Sequence, residues 1–181
     1  MEFEPALVIF SGPPFTGKTT LSKELASRSN FIHYDSDPFR LEVVGHDQSL
    51  PDDQEAEAMV ESYRRMHAAG LAGIRRGKPV SLAATYWRPV YKPLFAELLA
   101  QITVLVKTFE LRVNDSEIES RASKRQLEGD PSDIKTLEQY LPLKKGFDPI
   151  VFVPRHIIDT TQPLSVCFEE ILTVLKDLRI S

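Results

Sequence analysis

Residues 12–19 read Gly-Pro-Pro-Phe-Thr-Gly-Lys-Thr, and this stretch fits the spacing G-x-x-x-x-G-K-[S/T] at all four fixed positions. Before it, residues 6–10 form a continuous apolar run that is typical of a buried strand. After it, Leu21 and Leu25 lie one helical turn apart. A strand, a glycine-containing loop and a helix in this order can wrap a backbone around a phosphate group.

The residue types in this loop suit phosphate binding. Gly12 and Gly17 allow the backbone to curl so that N–H groups point inward, and the helix that follows adds its positive N-terminal end. Lys18 is expected to reach the β- and γ-phosphates of ATP, and the Thr19 hydroxyl is expected to ligate Mg²⁺. The alternative is a turn that only joins a strand to a helix. The predicted nucleotide contacts here are Gly12, Pro13, Pro14, Phe15, Thr16, Gly17, Lys18, Thr19 and Thr20.

Five short apolar runs, each followed by turn residues and a helical pattern, recur along the chain. They cover residues 6–10, 31–34, 79–84, 102–109 and 156–159. Nearly continuous apolar strands that alternate with helices are typical of a parallel sheet covered on both faces, so the predicted fold class is α/β. No repeat or linker interrupts the 181 residues, which predicts one domain over residues 1–181.

Local signals predict several helix and loop boundaries. A long helix is predicted over about residues 54–76, and residues 164–178 are apolar at helical spacing. Ser116 and Glu119 form a capping-box pattern. Two segments rich in turn residues, 45–53 and 141–154, are predicted to be surface loops.

Composition limits the classes of function. The net charge of −4 argues against a surface built to bind extended nucleic acid, because such binding depends on clustered Lys and Arg. Glu2 and Glu4 lie where a signal peptide would need positive charge, and no apolar run reaches 18 residues. These features predict a cytoplasmic protein without a membrane partner. The single cysteine, Cys167, is interpreted as a core residue of a helix.

Charged residues follow the second predicted strand, where the sequence reads Tyr-Asp-Ser-Asp-Pro-Phe-Arg over residues 34–40. Asp35, Asp37 and Arg40 are thereby predicted to lie at the carboxyl edge of the sheet, where open α/β sheets bind ligands. Asp37 has an alternative explanation, because Asp followed by Pro also makes an ordinary helix N-cap. Asp35 is a second candidate base or a magnesium ligand.

With these motifs the sequence resembles a group of small P-loop kinases that includes polynucleotide 5′-hydroxyl kinases, gluconate-type kinases, chloramphenicol phosphotransferase and zeta-toxin-like kinases. The likeness rests on the loop at 12–19, on Asp37 with Arg40, and on Arg121 with Arg125. It implies a P-loop NTPase fold: a three-layer sandwich with a mostly parallel five-stranded sheet in the order 2-3-1-4-5, and a small helical lid at about 114–145.

The resemblance also implies roles for individual residues. Asp37 would accept the proton of the attacking hydroxyl, and Arg40 would orient the substrate that carries it. Arg121 and Arg125 lie on one helix face and would contact ATP from the lid, Arg125 as the catalytic arginine; a solvated basic face is the alternative. Thr160 would lie on the adenine side. The implied cofactors are ATP and Mg²⁺, the latter held by Thr19 and Asp35.

The third strand departs from the pattern of these kinases. It ends in Ser-Leu-Ala-Ala-Thr over residues 81–85, so Ala83 stands where an acidic residue usually helps to hold magnesium. Immediately beyond, Thr85, Trp87 and Arg88 are predicted substrate contacts. The aromatic pair Tyr86 and Trp87 could stack on a flat ligand or pack under the next helix.

Three functions follow from these patterns. The first is a phosphotransferase that passes the γ-phosphate of ATP to a hydroxyl of a small molecule or nucleotide. The second is a nucleotide-binding protein with little catalysis, which Ala83 favours. The third is a nucleotide hydrolase or a GTP switch. The sequence lacks the Asn-Lys-x-Asp motif that reads guanine, which argues against the GTP switch. The sequence names neither the acceptor nor the oligomeric state.

Overall fold

A computed structural model describes residues 1–45, 51–86, 89–128 and 136–177, except for the side chains of residues 52, 53, 125–128 and 177. The strands in this part of the chain are β1 (Ala6–Ser11), β2 (Ile32–Asp35), β3 (Val80–Ala83), β4 (Leu105–Arg112) and β5 (Arg155–Asp159). The helices are α1 (Lys18–Arg28), α2 (Ser36–Val44), α3 (Asp52–Arg75), α4 (Tyr91–Leu99), α5 (Asp115–Glu128), α6 (Leu137–Lys145) and α7 (Leu164–Asp177).

The described strands form one parallel sheet in the order β2-β3-β1-β4-β5. This confirms the predicted α/β class and the strand order implied by the resemblance. The carboxyl ends of β1, β2 and β3 therefore meet at one edge, with Asp35 in register with Ala83, and Phe10 also in register with Ala83. The phosphate loop and the acidic segment after β2 share that edge.

The two faces of the sheet are covered by different helices. On one face α1 and α7 bury a core that includes Leu25, Phe168 and Ile171, with Phe10 and Phe109 stacked at 5.6 Å between ring centroids. On the other face α3 and α4 bury a second core that includes Tyr63, Met66 and Phe95. The result is the predicted three-layer sandwich. Among the described residues, none of the helices combines the length and apolar character that a membrane crossing requires.

Several predicted boundaries were wrong. Residues 141–145 were predicted as loop but belong to α6, which Thr136 caps. The Thr136 hydroxyl accepts from the Gln139 N–H at 3.2 Å, and the Gln139 side chain accepts from the Thr136 N–H. That reciprocal cap starts the helix, and Pro142 is accommodated inside it. Strand β4 runs to Arg112 because it pairs with β5 as far as Asp159.

Two predicted helix caps were also wrong. The N-terminus of α5 is capped by Asn114, whose side-chain oxygen accepts from the Glu117 N–H at 3.0 Å and from the Ser116 hydroxyl at 2.9 Å. Ser116 with Glu119 is therefore not the cap. Helix α2 is capped by Asp35, whose Oδ1 accepts from the Asp37 N–H at 3.1 Å, so Asp37 lies in the first turn and does not cap.

Candidate nucleotide and phosphate-transfer site

The two fixed glycines of the loop at 12–19 have backbone conformations that favour glycine. Gly12 has φ 150°, and a Cβ at this position would lie 2.6 Å from the backbone oxygen of Leu111, so no larger residue fits without a shift. Gly17 has φ 83° and immediately precedes α1. A side chain would therefore be strained at both positions, and the N-terminal N–H groups of α1 follow the loop directly.

The polar side chains of the loop brace it internally. Thr16 is buried, and its hydroxyl donates to the Pro13 carbonyl at 2.8 Å. Lys18 donates from Nζ to the same carbonyl at 2.9 Å, so its ammonium group arches across the loop. Thr16 can therefore offer a phosphate only its backbone N–H. Lys18 is placed to exchange a loop carbonyl for phosphate oxygens.

A hydroxyl and a carboxylate meet at the start of α1. Thr19 Oγ1 donates to Asp35 Oδ2 at 2.5 Å, and Asp35 is 8% exposed. The approach joins the phosphate loop to the carboxyl end of β2, beside Ala83. The two residues that were predicted as metal ligands are thus brought together. Among the described residues, no group of three or more His, Cys, Asp or Glu side chains is arranged to hold a metal ion.

A network of polar side chains joins α1, β2 and β3 near Thr19 and Asp35. The Ser22 hydroxyl donates to Ser81 Oγ at 2.8 Å and approaches His33 Nδ1 at 2.6 Å. Burial lowers the pKa of His33, although the nearby Asp35 carboxylate acts to raise it. The Ser22 hydroxyl thereby links α1 to His33 of β2 and to Ser81 of β3, which lie two residues before Asp35 and Ala83.

Arg40, the predicted substrate contact, pairs with a carboxylate of α3. It is buried, and its guanidinium binds the Glu55 carboxylate with two hydrogen bonds, from Nε at 2.9 Å and from Nη2 at 3.1 Å. This bidentate pair fastens α2 to α3. In this conformation Arg40 serves the packing of these helices, and its predicted contact with the substrate stays a prediction.

Arg121 of α5, in the predicted lid, bridges two loops. Its Nη1 donates to the Phe15 carbonyl at 2.9 Å and to Thr160 Oγ1 at 3.4 Å, and its Nη2 donates to the Thr160 carbonyl at 2.5 Å. Thr160 is itself held by Arg112, whose carbonyl accepts from the Thr160 N–H at 2.7 Å. Arg121 and Thr160, both predicted nucleotide contacts, are thus brought together. The side chain of Arg125 lies outside the described residues.

A pocket of about 300 Å³ opens beside this bridge. Its lining includes three predicted nucleotide contacts, Phe15, Gly17 and Thr20, in addition to Arg121 and Thr160. It also includes residues that the sequence did not single out for binding, namely Leu21, Lys124, Gln162, Leu164 and Cys167. Burial raises the pKa of the Cys167 thiol, which fits its predicted role as a core residue.

Of the two alternatives for the aromatic pair after β3, the structure shows packing for Tyr86. Tyr86 is 1% exposed and packs under α3 and α4, while Trp87 and Arg88 lie outside the described residues. The Tyr86 hydroxyl pairs with His67 Nε2 at 2.7 Å, and the Tyr86 N–H donates to the Tyr63 hydroxyl at 3.1 Å. Thr85 lies half-buried just before it. The roles of Tyr63 and His67 were missed, because both sit on the apolar side of a helix, where core packing is the simpler expectation.

Comparison with known proteins places the site in context. Residues 7–150 match the family described as the AAA domain. The chain belongs to that family. This AAA-domain match includes the phosphate loop, Asp35, Asp37 and helix α5. No curated protein matches the chain.

Solved structures share the fold of this AAA-domain chain. A protein from Chloroflexus aurantiacus J-10-fl that is assigned as a kinase has a TM-score of 0.74 and 17% identity, with 96% of this chain and 97% of that chain covered. A sugar kinase from Janibacter sp. HTCC2649 has a TM-score of 0.67 and 20% identity, with 95% and 94% covered. A gluconokinase from Sinorhizobium meliloti 1021 has a TM-score of 0.65 and 16% identity, with 96% and 93% covered. The resemblance to small P-loop kinases is confirmed at the level of family and fold.

Proposed function

We propose that this chain is an ATP-dependent phosphotransferase that transfers the γ-phosphate of ATP to a hydroxyl of a small molecule or nucleotide. The observation that carries the proposal is the 2.5 Å contact between Thr19 Oγ1 and Asp35 Oδ2. It brings a carboxylate of β2 to the hydroxyl that a phosphate loop offers to magnesium. The sugar kinase and gluconokinase that share the fold support a small-molecule acceptor.

The residues present fit a magnesium ion that accompanies ATP. Mg²⁺ prefers oxygen donors and usually takes one or two protein ligands, with water and phosphate oxygens completing the set. Thr19 and Asp35 are such donors, and the usual acidic residue of β3 is replaced by Ala83, in register with Asp35. When bound, the ion would neutralise charge on the phosphates. Asp35 is the proposed substitute for the missing carboxylate.

Asp37 is the proposed general base. It lies half-buried in the first turn of α2, directly after the carboxyl end of β2 and two residues from Asp35, the N-cap of that helix. In the proposed step the acceptor oxygen bonds to the γ-phosphorus while the bond from that phosphorus to the β–γ bridging oxygen breaks and ADP leaves. The acceptor proton passes to Asp37.

The remaining roles divide between the two ends of the site. Lys18 would bind the β- and γ-phosphates, and the lid arginine Arg125 would stabilise charge during transfer. Gly12 to Thr20, Arg121 and Thr160 would bind ATP, with the base near the 300 Å³ pocket. Thr85, Trp87, Arg88 and Arg40 are the proposed acceptor contacts.

The test is transfer of labelled γ-phosphate from ATP with Mg²⁺ to a panel of nucleosides, 5′-hydroxyl oligonucleotides, sugars and amino alcohols. We expect a labelled product that Lys18→Ala abolishes, and that Asp37→Asn lowers about 100-fold or more while ATP binding is kept. Asparagine is the chosen replacement because it preserves the size of the Asp37 side chain and removes its basicity. Transfer that survives Asp37→Asn would remove Asp37 as the base.

A second candidate is a nucleotide-binding protein with little catalysis. Ala83 favours it, because β3 offers no carboxylate to magnesium beside Asp35. ATP binding without a labelled product from any acceptor, and with phosphate release at background, would support this candidate over the kinase.

A further inference from the structure

Phe15 in the phosphate loop has an unusual conformation for a residue with a side chain. Its φ is 65°, in the left-handed region that L-residues seldom adopt. Most sequences place glycine where the backbone takes this shape, because glycine has no Cβ to clash. A phenylalanine held here must be kept in place by its surroundings.

Two contacts from the lid helices hold it. The Phe15 ring is 3% exposed and lies 5.8 Å from the Tyr140 ring between centroids, inside a small apolar cluster formed with α5 and α6. We call this the lid cluster; its buried members are Phe15, Ile118, Ala122 and Tyr140. The second contact is the Phe15 carbonyl, which accepts from Arg121 of α5 at 2.9 Å. Side chain and backbone of one loop residue are thus both bound to the helices of the predicted lid.

This cluster is separate from both main cores. It contains the apex of the phosphate loop and residues of α5 and α6, with Val113 and Leu137 packed against it. Tyr140 is 2% exposed and does not line the nucleotide pocket, so it has no direct route to a bound nucleotide. Its ring contact with the phosphate loop is with Phe15.

We infer that the lid cluster is a positioning device for the phosphate loop: α5 and α6 hold Phe15 in its left-handed conformation and thereby keep the loop N–H groups turned toward a phosphate. Phe15, Tyr140 and Arg121 are positioning residues in this account. By linkage, nucleotide binding to the loop strengthens the packing of α5 and α6 by the same factor as that packing strengthens nucleotide binding. The inference rests on the proposed nucleotide site and does not require transfer activity.

A double-mutant cycle tests it, with the full chain and with ATP dissociation constants from calorimetry. We expect Tyr140→Ala to weaken ATP binding about tenfold, and to have little further effect when Phe15→Ala is already present. Tyr140→Phe keeps the ring and should bind as the parent does. Phe3→Ala removes a buried aromatic ring at the opposite edge of the sheet, in contact with Phe31 at 5.2 Å, and should leave ATP binding unchanged.

Two results would overturn the inference: ATP binding unchanged in Tyr140→Ala, or two substitutions whose effects simply add. Hydrogen exchange in the ligand-free protein gives a second readout, in which the amides of residues 15–18 exchange faster in Tyr140→Ala than in Phe3→Ala. If the parent binds no nucleotide, the proposed function fails, and this exchange comparison alone decides the coupling. Unchanged exchange at 15–18 would then overturn it.

Discussion

At the scale of single residues, the site depends on where one carboxylate lies. Asp35 accepts from the Thr19 hydroxyl through Oδ2 and from the Asp37 N–H through Oδ1. It thus joins the phosphate loop to the first turn of α2, where Asp37 lies. Either aspartate could be chosen from sequence as cap, base or metal ligand. The hydrogen bonds decide which of the two caps α2: it is Asp35.

Replacing Asp35 should therefore affect magnesium more than the fold. Asn caps helices about as well as Asp, so Asp35→Asn keeps the cap of α2 but removes the charge that attracts a hard cation. We expect ATP binding in Mg²⁺ to weaken by about tenfold, and binding in chelator to change little. Calorimetric titrations with and without Mg²⁺ measure both.

Asp37→Asn is the matched control for this experiment, since it removes a charge two residues away. It should bind ATP and Mg²⁺ as the parent does. If the two variants lost magnesium-dependent binding equally, the assignment of Asp35 as the metal ligand would fail.

At the scale of elements, α5 and α6, the helices of the predicted lid, begin where their capping residues lie. The pattern of Ser116 with Glu119 predicted one start for α5, but Asn114 provides it, with one oxygen that accepts from Ser116 and from Glu117. For α6 the cap of Thr136 and Gln139 overrides the turn signal of Pro142. Sequence patterns tolerate a shift of a residue or two, whereas a cap needs a side-chain oxygen within reach of a particular N–H.

Substitution can distinguish the two caps proposed for α5. Asn114→Ala leaves the Glu117 N–H without its partner and should lower the free energy of unfolding by about 1 kcal/mol. Ser116→Ala removes only a hydroxyl that donates to Asn114, so its cost should be a few tenths of that, about 0.3 kcal/mol. Urea denaturation of both variants decides between them. A larger loss in Ser116→Ala would restore the capping box that the sequence suggested.

At the scale of the whole molecule, a buried polar chain connects three elements beside the site. Tyr86 at the end of β3 has φ 51° and is held by Tyr63 and His67 of α3. The Tyr63 ring stacks on Tyr91 of α4 at 4.3 Å, with the planes 4° apart. Burial lowers the pKa of His67 to about 4 and raises that of Tyr86. The imidazole is therefore neutral in the folded protein.

This burial makes stability depend on pH. The pKa of His67 is lower when folded, about 4, than its ordinary value of 6.5, so the unfolded chain binds the proton more tightly. The contribution of His67 to the free energy of unfolding is fully present above about pH 6.5 and is lost as the pH drops toward 4. Between pH 7 and pH 4.5 we expect a loss of about 2 kcal/mol from this group. Denaturation of the parent and of His67→Gln at both values measures the difference.

The control is built into that comparison, because other titrating groups, including His33, remain in both proteins. The pKa of His33 is also lowered by burial, so its contribution has the same sign. Only the part of the slope that His67→Gln removes belongs to His67. Parallel pH profiles for the two proteins would show that His67 is not the group responsible.

The sequence alone determined the class of fold and the location of the phosphate loop. Apolar runs that alternate with helical patterns determine which segments are buried strands, and Gly12 and Gly17 allow the positive φ angles, 150° and 83°, that the loop adopts. These are local properties, set by periodicity and by the conformations each residue allows. They can therefore be predicted from the sequence.

Only the tertiary structure decided which side chains meet. Arg40 pairs with Glu55, Arg121 with Phe15 and Thr160, and Thr19 with Asp35. These partners are between 15 and 106 residues apart along the chain. A polar side chain binds whichever complementary group packing brings within about 3 Å, and that depends on strand order and helix placement. Distance along the chain carries no such information, so the partners appear only once the sheet has formed.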